Sequence, residues 1–444
     1  MWCRGFTGKI RGSTCGVHRV AQASVCEWLA LGVRVFAAGR RKRQAGRLRS
    51  HIAFAPTLTL NRITVLYFDH NATHPLSETA KRAWLDAVEK FPANPSSPHR
   101  LGQRAETALQ DARSRLAAIL GCGADAIVFT SGATESANTV LAQFEDVMVS
   151  AIEHPCVMES AKERAFSDAR MAVEERMSHA RRSARLLPSA ATGEVEQPDF
   201  SGKKPQLVAL MAANNETGVL QAWRDALAVC RENGVKFFCD AAQWIGRMSA
   251  AGLGACDFVS GCAHKFGGPQ GVGFLKCPAD FPPLLRGGPQ EEGRRAGTEN
   301  VAGVLAMVAA LEEREAAICG GALSERLEWR AEFEREAAAS LPGVRVLGEG
   351  VERLWNTVSV LMPETPDCRR RWVVVMDRLG FAVSTGSACA SGKEKPSHVL
   401  TAMGISPEDA GRALRFSAGW GTTRDDWRSL LEGVKAAARE MGVR

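Results

Sequence analysis

VKFFCDAAQWIGRMSAAGLGACDFVSGCAHKFGGPQGVGF, residues 235–274, contains two short apolar runs, VKFFCDAA (235–242) and DFVSGCA (257–263). Runs of this length, rich in Phe and Val and flanked by glycine, read as buried strands. The first delivers Asp240 to its carboxyl end, and Lys265 follows the second, just before a glycine-rich turn. The same signal recurs upstream in VLYFD (65–69), DAIVFT (125–130), VMVSAI (147–152) and QLVALMA (206–212). Between these runs the spacing predicts a helix over 101–120, stopped at Gly121, and another opening within SGATESANTVLAQF (131–144). Strands alternating with helices predict an α/β fold with a mostly parallel sheet covered on both faces. A long helical stretch over 299–341, interrupted at Gly320-Gly321, leads to strands near NTVSVLM (356–362) and FAVSTG (381–386). The expected organisation is a large domain over 65–316 and a smaller C-terminal α/β domain over 317–444.

Residues 1–64 stand apart. They carry twelve Lys and Arg against one acid, Glu27, while the rest of the chain is mildly acidic, although the whole has a formal charge of +7. The basic segment reads as a transit peptide, as sequence upstream of a misassigned start, or as a nucleic-acid-binding arm. None of these makes it part of the fold, and nothing in the body suggests a nucleic-acid face. The apolar run at 25–39 is interrupted by Glu27 and Arg34, too short and too charged to cross a membrane. Thirteen scattered cysteines with no CxxC pair point to free thiols in a reducing compartment. No set of metal ligands is read.

Four motifs carry chemistry. FTSGATES (129–136) places a glycine turn at a helix start, where backbone N–H groups and the Thr134 hydroxyl can hold an anion; an ordinary N-cap is the plainer reading. Asp240 at a strand end can cap the next helix or pair with a protonated ring nitrogen. Lys265 is a surface lysine on a turn or a desolvated amine able to form a Schiff base. Taken in order, an anion-binding helix start, a strand-end Asp and a Lys about 25 residues later imply pyridoxal phosphate (PLP). In STGSACASGKEKPSH (384–398), Cys389 lies among small residues with Lys393 and Lys395 nearby, a setting that favours an exposed, nucleophilic thiolate.

With YFDHNATHPL (67–76), NPSSPHRLG (94–102), IEHPCV (152–157), NNETGVLQ (214–221), RRAGTENVAG (294–303) and RALRFSAGWGTT (412–423), these motifs follow one order along about four-fifths of the chain. In that order they resemble the cysteine desulfurases of the NifS/IscS type, in the class V aminotransferase family of fold type I PLP enzymes. The resemblance implies that Lys265 forms the Schiff base and Asp240 pairs with the pyridine nitrogen. It implies that His154 stacks on the ring and Gln243 bonds its hydroxyl oxygen. Ala133, Thr134 and His264 would bind phosphate, with Cys262 where the family usually has serine. Asn215 falls among the cofactor contacts and, with Arg415, among those to the substrate carboxylate; Arg412 is the alternative guanidinium. Thr298 would reach the phosphate of a neighbouring subunit, which implies a homodimer. Cys389 would take the sulfur and could serve as a transient iron–sulfur ligand. His398 either caps a helix or touches the Cys389 loop.

The implied activity converts L-cysteine to L-alanine, passing sulfur as a Cys389 persulfide to an acceptor protein for iron–sulfur assembly or thiolation. Selenocysteine lyase, another class V enzyme and a non-catalytic scaffold are the alternatives. A cytoplasmic location is expected, or the mitochondrial matrix if residues 1–64 are a transit peptide. No membrane or nucleic-acid partner is expected.

Overall fold

The structure is a computed structural model that describes residues 65–167, 183–365, 368–386 and 397–443. Residues 1–64 and the segment 387–396, which includes Cys389, lie outside the described residues. In chain order the strands are β1 (Leu66–Tyr67), β2 (Ile127–Thr130), β3 (Asp146–Ser150), β4 (Ser183–Leu187), β5 (Leu207–Met211) and β6 (Lys236–Asp240). They continue with β7 (Phe258–Cys262), β8 (Gly273–Lys276), β9 (Arg345–Val346), β10 (Thr357–Leu361), β11 (Phe381–Ala382) and β12 (Ala413–Ser417).

The large sheet has seven strands in the order β2-β8-β7-β6-β5-β3-β4. The run from β7 to β4 is parallel, as the alternation of strands and helices predicts. β8 pairs antiparallel on both sides. It has no counterpart in the sequence reading, because glycines 267–273 turn the chain straight back beside β7 instead of feeding a crossover helix. Gly273 is required there: a Cβ would lie 2.5 Å from the Gly261 carbonyl oxygen and 2.6 Å from the Gly132 Cα.

Alternation along β6 sends Phe237 to one face and Phe238 to the other, so both sides of the sheet are buried. Trp223, Trp244, Phe266 and Met307 pack on the Phe237 face, and Val140, Val149, Val157 and Phe258 on the Phe238 face. The helical stretch read over 299–341 is two helices, Val301–Cys319 and Leu323–Ser340, with Gly321 at φ 82° between them.

A three-stranded antiparallel sheet, β12-β10-β9, forms a separate core with Phe333, Trp372, Phe416, Trp427 and Leu430. The strand expected over 65–69 is two residues long and pairs with β11. It carries Phe68 against Trp427, with ring centroids 5.1 Å apart, so the first described strand packs with the C-terminal core. No described helix is long and apolar enough to cross a membrane.

Candidate active site

The carboxyl ends of β5, β6 and β7, the start of the helix Ala133–Leu141 and the backbone of 71–73 surround a cavity of about 550 Å³. Asp240 is the last residue of β6 and is 5% exposed. Its Oδ1 accepts from the Ala242 N–H and the Ser260 hydroxyl, each at 3.0 Å, which fixes the carboxylate toward the cavity. Lys265 closes a single 3₁₀ turn after β7. Its Nζ donates to the carbonyls of Asn71 (2.6 Å) and Ala72 (2.8 Å). Burial pulls its ammonium down to about 8; Cys262 opposes this and Arg247 and Arg415 reinforce it. A minority of the amine is therefore already neutral near physiological pH, far more than for an ordinary lysine.

The helix Ala133–Leu141 begins at Gly132 with no side-chain cap, so the N-cap reading of this motif does not hold. The Ala133 N–H instead reaches the Cys262 thiol. Burial pushes that thiol up to about 11, so it sits at the helix start as a neutral group. Glu135, in the first turn, accepts from the Ser131 N–H at 2.8 Å and pairs with Arg295 at 3.0 Å.

His154 lines the cavity just after β3, its Nδ1 accepting from the Cys156 N–H at 3.2 Å. Burial lowers its pKa, with Asp240 pulling the other way. His264 bonds Thr73 Oγ1 through Nδ1 at 3.2 Å, and burial takes it down to about 4.

Opposite the strand ends, residues 69–74 form a second wall. Asn71 is buried; its Nδ2 donates to Thr357 Oγ1 (2.9 Å) and the Asn215 carbonyl (3.2 Å), and its Oδ1 accepts from Asn356 (3.1 Å). Gln243 donates to the Asn71 carbonyl at 3.0 Å. The chain's one tyrosine, Tyr67, braces this wall by donating to the carbonyls of Asp69 and Thr73, both at 3.1 Å. The His70 and His74 rings meet within it at a tilt of 56°, with centroids 4.7 Å apart. Burial holds them neutral, down to about 3 and about 4 respectively.

Arg415 lies on β12 between Leu414 and Phe416, which face the C-terminal core, so alternation turns its guanidinium to the cavity. It is 2% exposed and bonds Asp69 (2.7 Å) and the carbonyls of Asn215 (2.8 Å) and Gly386 (3.2 Å). Arg412 is held elsewhere, by Asp409 at 2.6 Å and the Met362 carbonyl, and does not line the cavity.

Ala133, Thr134, His154, Asn215, Asp240, Gln243, Cys262, His264, Lys265 and Arg415 are thus brought to one cavity. Thr298 is exposed and away from it, and His398 bonds the Glu153 carbonyl while Ser397 caps its helix. Asn71, Ala72 and Cys156 also line the cavity with no role read from the sequence. Asn71 and Ala72 hold Lys265 through backbone carbonyls, which leave no side-chain signature; Cys156 could have been noticed beside His154 in IEHPCV.

A strand-end carboxylate, a buried amine and an uncapped helix start meet in one cleft at the carboxyl ends of an α/β sheet, the place where ligands of such folds bind. The model of the family described as "Aminotransferase class-V" matches residues 66–430, and the chain belongs to that family. Within it the chain is a NifS/IscS-type cysteine desulfurase. It is 37% identical to the cysteine desulfurase of Klebsiella pneumoniae, over 79% of this chain and 87% of that one. It is 33% identical to the cysteine desulfurase IscS of Dictyoglomus turgidum, over 83% and 93%. Among solved structures, a NifS-like protein from Rickettsia africae superposes with a TM-score of 0.71 at 27% identity, covering 84% of this chain and 99% of that one. A structure described as SspA in complex with cysteine gives 0.65 at 26%, covering 79% and 98%.

Proposed function

We propose that the cavity binds PLP and that the protein takes sulfur from L-cysteine through Cys389, releasing L-alanine. The observation that carries this reading is the convergence of the Lys265 amine, the Asp240 carboxylate and the uncapped helix start on one cavity. Three buried polar atoms on its lining residues, Gln243 Oε1, Asn215 Oδ1 and Arg415 Nε, have no hydrogen-bond partner among the described residues. Such atoms, two acceptors and one donor, call for a polar ligand, and a phosphorylated pyridine together with an amino-acid substrate offers both kinds of partner.

When bound, PLP supplies an electron sink for the bond broken at the substrate's α-carbon. Lys265 Nζ would hold the cofactor's carbonyl carbon, and Asp240 would keep the ring nitrogen protonated. His154 would cover the ring face, with the Gln243 amide at its hydroxyl oxygen. The helix start at Ala133 and Thr134, with His264 and the Cys262 thiol, would cradle the phosphate. Arg415 and Asn215 would orient the substrate carboxylate. Lys265, neutral once released, would take the α-proton on Nζ, with His154 as the second candidate base.

Cys389 thiolate then attacks the substrate sulfur. A sulfur–sulfur bond forms, the carbon–sulfur bond breaks, and its electron pair stays on carbon, which takes a proton and leaves as the methyl group of alanine. The product on the enzyme is a persulfide, which passes to an acceptor protein. Thr298, away from its own cavity, suits a homodimer in which it reaches the neighbouring site. The relatives named as cysteine desulfurases support this reading over a selenocysteine lyase, an aminotransferase or a scaffold. Their bacterial sources fit a cytoplasmic enzyme.

Two variants test it. Lys265→Ala is expected to lose cofactor absorbance and to lower alanine production about a thousandfold or more, because among the described residues no other lysine lines the cavity. Cys389→Ser is expected to retain the absorbance and its response to L-cysteine while releasing almost no sulfide in the presence of a reductant. Near-normal turnover of Cys389→Ser would overturn the desulfurase mechanism and leave the PLP site standing.

A further inference from the structure

Segment 387–396 leaves the described structure at Gly386 and returns at Ser397, and one buried carboxylate lies between these two roots. Glu216 is 4% exposed. Its Oε2 accepts from the Ser397 hydroxyl at 2.6 Å. The same oxygen lies 3.5 Å from where a Cβ on Gly386 would stand, so Glu216 sits beside that root. Gly386 is at φ 89°, which a residue with a side chain adopts only under strain. Asn214 fixes the backbone of Glu216 and Thr217 from below, its Oδ1 accepting both N–H groups at 2.8 and 2.9 Å.

The neighbouring residue in sequence, Asn215, gives its carbonyl to Arg415, which also bonds the Gly386 carbonyl. Arg415 further exchanges backbone hydrogen bonds with Ser384 in both directions, at 3.2 and 2.7 Å. The proposed substrate-carboxylate subsite and both roots of the Cys389 segment therefore meet at the Asn215–Glu216 dipeptide. Burial lifts the Glu216 carboxyl above its ordinary range, while the Ser397 hydroxyl, His398 and Arg415 pull it back.

We propose that Glu216 is a positioning residue: bonded to Ser397 and lying beside Gly386, it fixes both roots of 387–396 for sulfur transfer from substrate held at Asn215 and Arg415. This inference rests on the desulfurase reading above.

The test compares holoenzymes of the wild type, Glu216→Ala, Glu216→Gln and Ser397→Asp. Three quantities are read: the absorbance change on mixing with L-cysteine, persulfide appearing on Cys389 in one turnover by mass spectrometry, and amide exchange at 384–386 and 397–401. Glu216→Ala should keep the absorbance response within about twofold, slow persulfide formation about tenfold, the size of one lost charge-assisted hydrogen bond, and speed exchange at both roots. Glu216→Gln keeps an acceptor for Ser397 and should recover most of the lost rate. Ser397→Asp retains an N-cap acceptor but sets a second carboxylate against Glu216, so it should reproduce the alanine variant, and it decides the matter if that variant does not fold.

Persulfide formation at the wild-type rate would overturn the proposal. So would an equal loss of the absorbance response, which would place Glu216 in the substrate subsite instead. If wild-type protein forms no persulfide on Cys389, the desulfurase reading fails on its own. Amide exchange then judges the anchor: unchanged exchange in Glu216→Ala overturns it, and faster exchange at both roots supports it.

Discussion

The cavity has one wall of neighbouring strand ends and another made by residues 69–74, which belong to no sheet of their own, and the two are held in place by different means. Asp240, Cys262 and Lys265 stand where β6 and β7 stop; their backbone positions come from the sheet, and Asp240 is held by Ala242 two residues on and by Ser260 of the adjacent strand. Asn71, by contrast, makes its hydrogen bonds to residues 144 to 346 positions away in the chain. A substitution in the strand wall should therefore change the chemistry of the pocket with little effect on the fold. A substitution in the loop wall should disturb both, because the same bonds that shape the pocket tie the N-terminal segment to the C-terminal core.

Asn71→Ala breaks this contrast most strongly. It removes three side-chain hydrogen bonds and leaves Asn356 and Thr357 short of partners in a buried setting. A loss of about 2–4 kcal/mol is expected, read from the denaturant midpoint, together with a raised KM for L-cysteine. A change below about 1 kcal/mol would show that the loop wall is not held by this side chain.

His74→Thr sharpens the comparison through pH. The His74 Nε2 is buried without a partner among the described residues, so the folded state resists protonation down to about 4, whereas the unfolded chain takes the proton below about 6.5. Stability contributed by the neutral ring is complete above about pH 6.5 and declines as pH falls toward about 4. Removing the ring should make the protein roughly 1–3 kcal/mol less sensitive to acid between about pH 7 and about pH 4.5, measured by denaturation at the two pH values. An unchanged pH slope would place the acid sensitivity elsewhere, with His70 and His264 the next candidates.

The smallest effect is expected from the strand wall. Cys262→Ser replaces a weak thiol donor with a hydroxyl beside the Ala133 N–H. PLP should bind about three- to tenfold more tightly, a gain of about 1 kcal/mol, with no shift in the denaturant midpoint. Unchanged affinity in a cofactor titration would put Cys262 out of reach of the phosphate.

The same division decides what the sequence reveals. The parallel strands, Asp240 and Lys265 are legible because apolar runs, glycine turns and strand-end polar residues are local patterns. β8 is not, since its antiparallel course depends on how tightly the 267–273 turn folds back on β7. The loop wall is also illegible, for although HNATH is easy to see, its Asn71 and Ala72 carbonyls hold Lys265 through backbone atoms that any residue possesses. Arg415, and not Arg412, lines the cavity for two reasons: alternation along β12, and the capture of Arg412 by Asp409, a helical neighbour three residues before it.

Tyr67 supplies a consequence for observation. As the chain has one tyrosine, growth on fluorotyrosine places one fluorine in the molecule, at the brace between β1 and the loop wall. Its resonance would respond to cofactor loading, to L-cysteine and to the state of the Asn71–Lys265 contact without assignment work or an engineered label. The residue type the chain uses least thus gives a spectroscopic view of the part of the active site that sequence patterns leave dark.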